Sequence, residues 1–60
     1  MNEHLMKEHQ ATILRYKEQY EHCPEDQELI RLYPTASSIE KKYGIAFVLQ
    51  DRGYGKSDYE

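Results

Sequence analysis

The sequence predicts an all-α fold, a small bundle of three to four helices that contains a helix-turn-helix. Three observations carry this prediction. Residues 3–21 contain no Gly or Pro and repeat their apolar side chains at the helical period. Pro24 and Pro34 fall where helices start or turn, not inside periodic stretches. The one continuous apolar run, residues 45–49, would find no strand partner in a chain of 60 residues. That length makes a single domain, residues 1–60, which buries only about 60% of its unfolded surface and so has a thin core. Six Tyr and one Phe supply most of the large side chains, and a tyrosine suits a thin core because its ring can bury while its hydroxyl stays wet.

The first helix is expected over about residues 3–21, with Asn2 as its N-cap. Leu5, Met6, His9, Ile13, Tyr16 and Tyr20 share one stripe at 3.6 residues per turn. Leu14 is the apolar residue clearly off that stripe. His22-Cys23-Pro24 then breaks the helix. Pro24 fits the first position of a second helix over residues 25–32, and Glu25, Asp26 and Glu28 suit its positive N-terminal end. Leu29 and Leu32, with Gln27 or Ile30, give it an apolar face, and Arg31 lies near its C-terminal end.

Tyr33-Pro34-Thr35 is the expected turn. Thr35 can N-cap a third helix over residues 36–43, in which Ala36, Ile39 and Tyr43 form the apolar back. Gly44 reads as its C-terminal stop, since glycine takes the left-handed conformation without a Cβ penalty. A fourth helix is expected over residues 45–52. Ile45, Val48, Leu49 and Arg52 make its stripe, and Gly53 follows its end. Residues 54–60 read as a loose tail with Tyr54 and Tyr59 exposed, unless either docks back.

The net charge is −3, unevenly spread. Residues 1–29 hold three basic residues against seven acidic ones, whereas residues 30–60 hold five against four. The second half is therefore the side better suited to phosphate. One cysteine excludes an internal disulfide and fits a reducing cytosol. No apolar run reaches the length of a membrane span and nothing resembles a signal peptide, so the expected location is cytoplasmic, with no membrane partner.

The sequence does not point to an enzyme. Its acids are spread over helix faces, and adjacent His22 and Cys23 do not normally turn toward each other as a thiol–base pair. Gly53-Tyr54-Gly55-Lys56-Ser57 lacks the first glycine of a phosphate loop and its strand-to-helix setting. A zinc site needs four converging ligands, yet His4 and His9 diverge by about 140° on a helix. No metal and no cofactor is expected. The histidines and Cys23 are read as structural, His9 on the core stripe and His22 and Cys23 at the interhelical turn.

The front of the third helix is small, polar and mildly basic, which suits a recognition helix in the major groove. Thr35, Ser37, Ser38 and Lys41 would reach base edges or phosphates, with Lys42 and Arg31 on the DNA backbone. Three to five phosphate contacts give a salt slope of roughly −3 to −4, hence weak binding to double-stranded DNA by the lone domain. A dimer or a larger complex would relieve that shortage.

Ile13 and Tyr16, Pro24 with Glu28-Leu29, Tyr33-Pro34-Thr35, Ser38-Ile39 and Tyr43-Gly44 together resemble the small helical repeat associated with HNH homing endonucleases. The resemblance covers residues 13–53. It implies a helix-turn-helix, DNA binding and an origin in a phage or other mobile element. It implies no catalysis, because the nuclease chemistry lies outside the repeat. This chain departs from the pattern after Gly44, where Ile45-Ala46 replaces the usual Ser-Trp, and Leu49 and Gly53 arrive one residue early.

The expectation is thus a small non-enzymatic DNA-binding regulator of transcription, encoded by a phage or mobile element. The alternative is an acidic, Tyr-rich modulator or inhibitor that binds a host protein and does not touch DNA. The sign of the potential over the third helix separates them. A shared positive face from Arg31, Ser37, Lys41 and Lys42 favours DNA. Neutralisation by Glu28, Glu40 and Asp51 favours a protein partner.

Overall fold

A computed structural model describes residues 3–60, with side chains from His9 onward. The N-cap role of Asn2, the stripe positions Leu5 and Met6, and His4 lie outside the described residues and side chains. Four α-helices follow in order: α1 (Glu3–Glu21), α2 (Asp26–Leu32), α3 (Ile39–Asp51) and α4 (Lys56–Tyr59). A 3₁₀ turn, Tyr33–Thr35, extends α2. No strand occurs among the described residues, so the all-α class is as the sequence predicts.

Three boundaries differ from expectation, each for a local reason. Pro24 lies outside α2, whose N-cap is Glu25 in extended geometry (φ −103°, ψ 111°). Thr35 does not cap a helix. Its Oγ1 donates back to the Leu32 carbonyl at 3.1 Å, closing the 3₁₀ turn that Pro34 opens. The cap is Ser38, extended at φ −141° and ψ 160°, whose Oγ accepts from the Lys41 N–H at 3.2 Å. With the start moved three residues on, the separately expected helices 36–43 and 45–52 are one continuous helix, α3.

Gly44 therefore sits in mid-helix instead of ending one. It is buried, and a Cβ built on it would lie 2.5 Å from Tyr16 Cβ, 3.0 Å from Lys17 N and 3.1 Å from the Ile13 carbonyl oxygen. Absence of a side chain lets the backbones of α1 and α3 touch, which outweighs glycine's helix cost of about 1 kcal/mol. Gly53 does what its position predicts: at φ +95° it follows the Arg52 cap and ends α3.

α1 and α3 run parallel. His9 meets Glu40 at the head of α3 (3.1 Å), Ile13 to Lys17 meet Gly44, and the Glu21 carbonyl meets Arg52 at its foot (3.1 Å). α2 and its 3₁₀ extension carry the chain back between them.

The core gathers Leu29, Tyr33, Ile45, Ala46, Val48, Leu49 and Tyr59, and Leu29, Ile45 and Leu49 are fully buried. Each of those three contributes about 1.5–3 kcal/mol by leaving water. Residues 54–60 are not a loose tail. Tyr59 is only 5% exposed and meets the Tyr33 ring edge-on, with centroids 4.7 Å apart at 71°. Gln50 Nε2 donates to its hydroxyl at 2.9 Å, and the Asp58 carboxylate accepts from the Gly55 N–H at 2.7 Å to start α4.

On α1 the stripe holds in its second half. Ile13 is buried, Tyr16 and Tyr20 are half-buried and stacked at 6.5 Å, and Leu14 faces solvent. His9 is exposed against Glu40 rather than in the core.

Candidate interaction surface

The solvent-facing side of α3 is apolar. Ile39, Tyr43 and Phe47, at i, i+4 and i+8, form one stripe about 12 Å long at 1.5 Å per residue. They are 58%, 48% and 42% exposed. Ile39 and Tyr43 were expected in the core, on the assumption of a helix that ends at Gly44. Continuing α3 to Asp51 hands the core-facing side to Ile45, Val48 and Leu49, and rotates Ile39 and Tyr43 to the outside. Gln50 extends the same front, while Glu40 and Asp51 lie along its edge at 100° per residue.

Beside this stripe runs an open cleft of about 550 Å³. Tyr33, Ala46 and Tyr59 form its floor, and Ile39, Tyr43 and Phe47 its outer wall. Lys42 from α3, Lys56 from α4 and Glu60 just after it also line it. The Lys42 ammonium lies 5.2 Å above the Tyr33 ring centre, a cation–π contact that holds the charge over the floor of the cleft. Burial, with the carboxylate of Glu60 nearby, raises the Tyr33 hydroxyl above the usual phenol range.

The residues expected to bind DNA come from α2, the 3₁₀ turn, the loop after it and the first turn of α3. Arg31 is exposed in the last turn of α2. Thr35 and Ser38 spend their hydroxyls on the backbone, as described above. Ser37 is exposed in the loop, and Lys41 and Lys42 are half-buried in the first turn of α3. At 100° per residue the two lysines flank the buried side of α3, Lys42 on the side of the cleft and Lys41 on the other. Glu40, between them in sequence, is on the other side and engaged by His9.

The charges nevertheless sort themselves. Described ion pairs use Lys17 with Asp51 (3.1 Å) and Glu21 (3.4 Å), Arg52 with Asp26 (2.5 Å), and His9 with Glu40. Among the described residues no carboxylate pairs with Arg31, Lys41, Lys42 or Lys56. Asp51, then Glu21, holds the Lys17 ammonium above its usual range.

Sequence reading missed a second constellation. Arg52 Nη1 donates to Asp26 Oδ1 at 2.5 Å, and Nη2 donates to the carbonyls of Glu21 (3.1 Å) and Cys23 (2.5 Å). Tyr54 OH donates to Asp26 Oδ2 at 2.9 Å. The Tyr54 hydroxyl first, then Arg52, holds the Asp26 carboxyl below the usual aspartate range. One guanidinium thus satisfies the last carbonyl of α1 and that of Cys23 just beyond it, and ties them to α2. Cys23 is half-buried and packs against the core, and its Sγ donates to the Glu25 carbonyl at 3.6 Å. The bonds of Arg52 and Tyr54 join the end of α1 to α2 and α3.

No group of three or more His, Cys, Asp or Glu side chains among the described residues could hold a metal ion. No helix among them is long and apolar enough to cross a membrane. No protein-family model, curated protein or solved structure matches this chain.

Proposed function

We propose that this protein is a non-catalytic binding module that engages another protein through the outer face of α3. The observation that carries this reading is the exposure of Ile39, Tyr43 and Phe47 as one stripe on a rigid helix. Small proteins seldom spend three of their large apolar side chains on solvent in a row, and such a row matches the anchors by which helices enter grooves. Aromatic residues at the centre of a contact carry most of its affinity.

The second reading is a helix-turn-helix that binds double-stranded DNA in transcription control, with the phage or mobile-element origin that the resemblance implies. It is favoured by Arg31, Lys41 and Lys42 lacking carboxylate partners near the loop that holds Thr35, Ser37 and Ser38. Against it, a duplex laid on the front of α3 would meet Ile39, Tyr43 and Phe47 with Glu40 and Asp51 beside them. Apolar burial there would gain little from phosphates.

One paired experiment tests the two readings. A displayed library of helical peptides is panned against the protein, and labelled duplex DNA is titrated at two salt concentrations. The expected outcome is a set of peptides whose binding disappears in Phe47→Ser, with no saturable DNA binding at high micromolar protein. Saturable, salt-sensitive DNA binding that Lys41→Ala/Lys42→Ala removes and Phe47→Ser leaves intact would overturn the first reading in favour of the second.

A further inference from the structure

We infer that the partner is an acidic amphipathic helix, seated in the cleft between α3 and α4 with its carboxylates gripped by Lys42 and Lys56. This inference rests on the protein-binding reading above and names the chemistry of the occupant. Three features lead to it.

The first is shape. The 550 Å³ cleft is a trough alongside the outer face of α3, bounded on its far side by α4. A helix lying along α3 would meet Ile39, Tyr43 and Phe47 with its own apolar residues at i, i+4 and i+7 or i+8.

The second is charge. In a chain of net charge −3, this cleft carries two lysines and one carboxylate, Glu60, on its walls. Neither lysine pairs with a carboxylate among the described residues, although several acids elsewhere are paired. Lys42 is held in place over the Tyr33 ring, so its ammonium is already ordered before a partner arrives. That ordering lowers the entropy lost on binding.

The third is the floor. Tyr33, Ala46 and Tyr59 are buried and fixed by the edge-on contact of the two rings and by the bond from Gln50 to Tyr59 OH. A buried apolar floor in a cleft that two cations line fits a helix with an apolar stripe bordered by Asp or Glu. It does not fit a basic helix, which would bring like charges together, and it offers a duplex no groove-reading side chain.

The test uses three fluorescent probes against the full chain. The first is a designed peptide of about fifteen residues with Leu and Phe at helical spacing and Glu on both flanks. In the second, Lys replaces every flanking Glu, and the third is a duplex DNA of about twenty base pairs. The acidic peptide is expected to bind at least tenfold more tightly than the basic one. Lys42→Ala/Lys56→Ala should weaken it about fivefold, the effect of losing two exposed ion pairs, and added salt should do the same. Arg15→Ala removes a cation of α1 and should change nothing.

Equal binding of the two peptides, both lost in Phe47→Ser, would overturn the acidic partner while leaving the protein-binding reading intact. No binding of either peptide also overturns it. The peptides panned without regard to charge then decide whether the broader reading stands. Preferred binding of the duplex would defeat both. Circular dichroism of each variant separates lost binding from lost folding.

Discussion

A methyl group on Gly44 would sit 2.5 Å from Tyr16 Cβ, a separation that carbon atoms do not tolerate. On an exposed helix, exchanging Gly for Ala stabilises by about 1 kcal/mol. Here the overpacking of two helix backbones opposes that gain. Gly44→Ala is therefore expected to destabilise by about 1–3 kcal/mol, read as a lower urea midpoint with an unchanged slope. A midpoint that stayed put or rose would show that α1 does not rest on Gly44. The two helical glycine signals in the sequence look alike, each after a segment with a helical apolar stripe. Gly53 is legible because its role is local, a positive φ at a helix end. Gly44 is not, because its role is set by a helix that lies far off in the sequence. The same holds for Arg52 and Tyr59, whose partners are Asp26 and Tyr33. No periodicity within twelve residues reports such contacts.

At the scale of elements, the position of one cap decided which residues became the candidate site. Thr35, Ser37 and Ser38 are all competent N-caps by type, and Pro34 permits any of them. Only Ser38 is extended with its hydroxyl on an N–H of the next turn. Ser38→Ala should cost about 1 kcal/mol in thermal unfolding, and Thr35→Ala clearly less, because the Leu32 carbonyl it frees lies at an exposed turn that water reaches. The reverse order would restore Thr35 as the start of the helix. The continuation of α3 past Gly44 then gives the core to Ile45, Val48 and Leu49 and leaves Ile39 and Tyr43 outside. The residues named for the core of that helix are thus the residues now proposed to bind a partner. Existence and type were legible for α1, for α2 and for the α3 segment, since propensity and period agree there. The solvent face of α3 was not, since it follows from how far the helix continues.

Across the whole molecule, Arg52, Asp26 and Tyr54 join the ends of α1, α2 and α3 at one corner. This corner makes stability depend on pH with a definite sign. The folded Asp26 binds its proton less readily than the unfolded one. Its contribution is complete above the ordinary aspartate range, near pH 4. It is lost as the pH falls below that toward the depressed folded value. Asp26→Asn should be less stable than wild type at pH 7 and should lose less on acidification from pH 5 to pH 2, measured by chemical denaturation at each pH. Parallel losses in the two proteins would mean that the carboxylate is not coupled to Arg52 and Tyr54.

Because α1 and α3 lie side by side in the same direction, they cannot zip together from a short connecting turn as an antiparallel pair does. Their contacts join residues separated by as many as 34 positions, as in the Lys17–Asp51 pair. The segment between must fold back first, and its closure entropy is lost before any reward from Gly44 or Arg52 arrives. For an all-helical chain of this size that is a high contact order, and such chains fold more slowly than bundles built from neighbours. Contacts among α2, the 3₁₀ turn and α3 are therefore expected to form before α1 docks, so that substitutions on the α1 stripe should speed unfolding more than they slow folding.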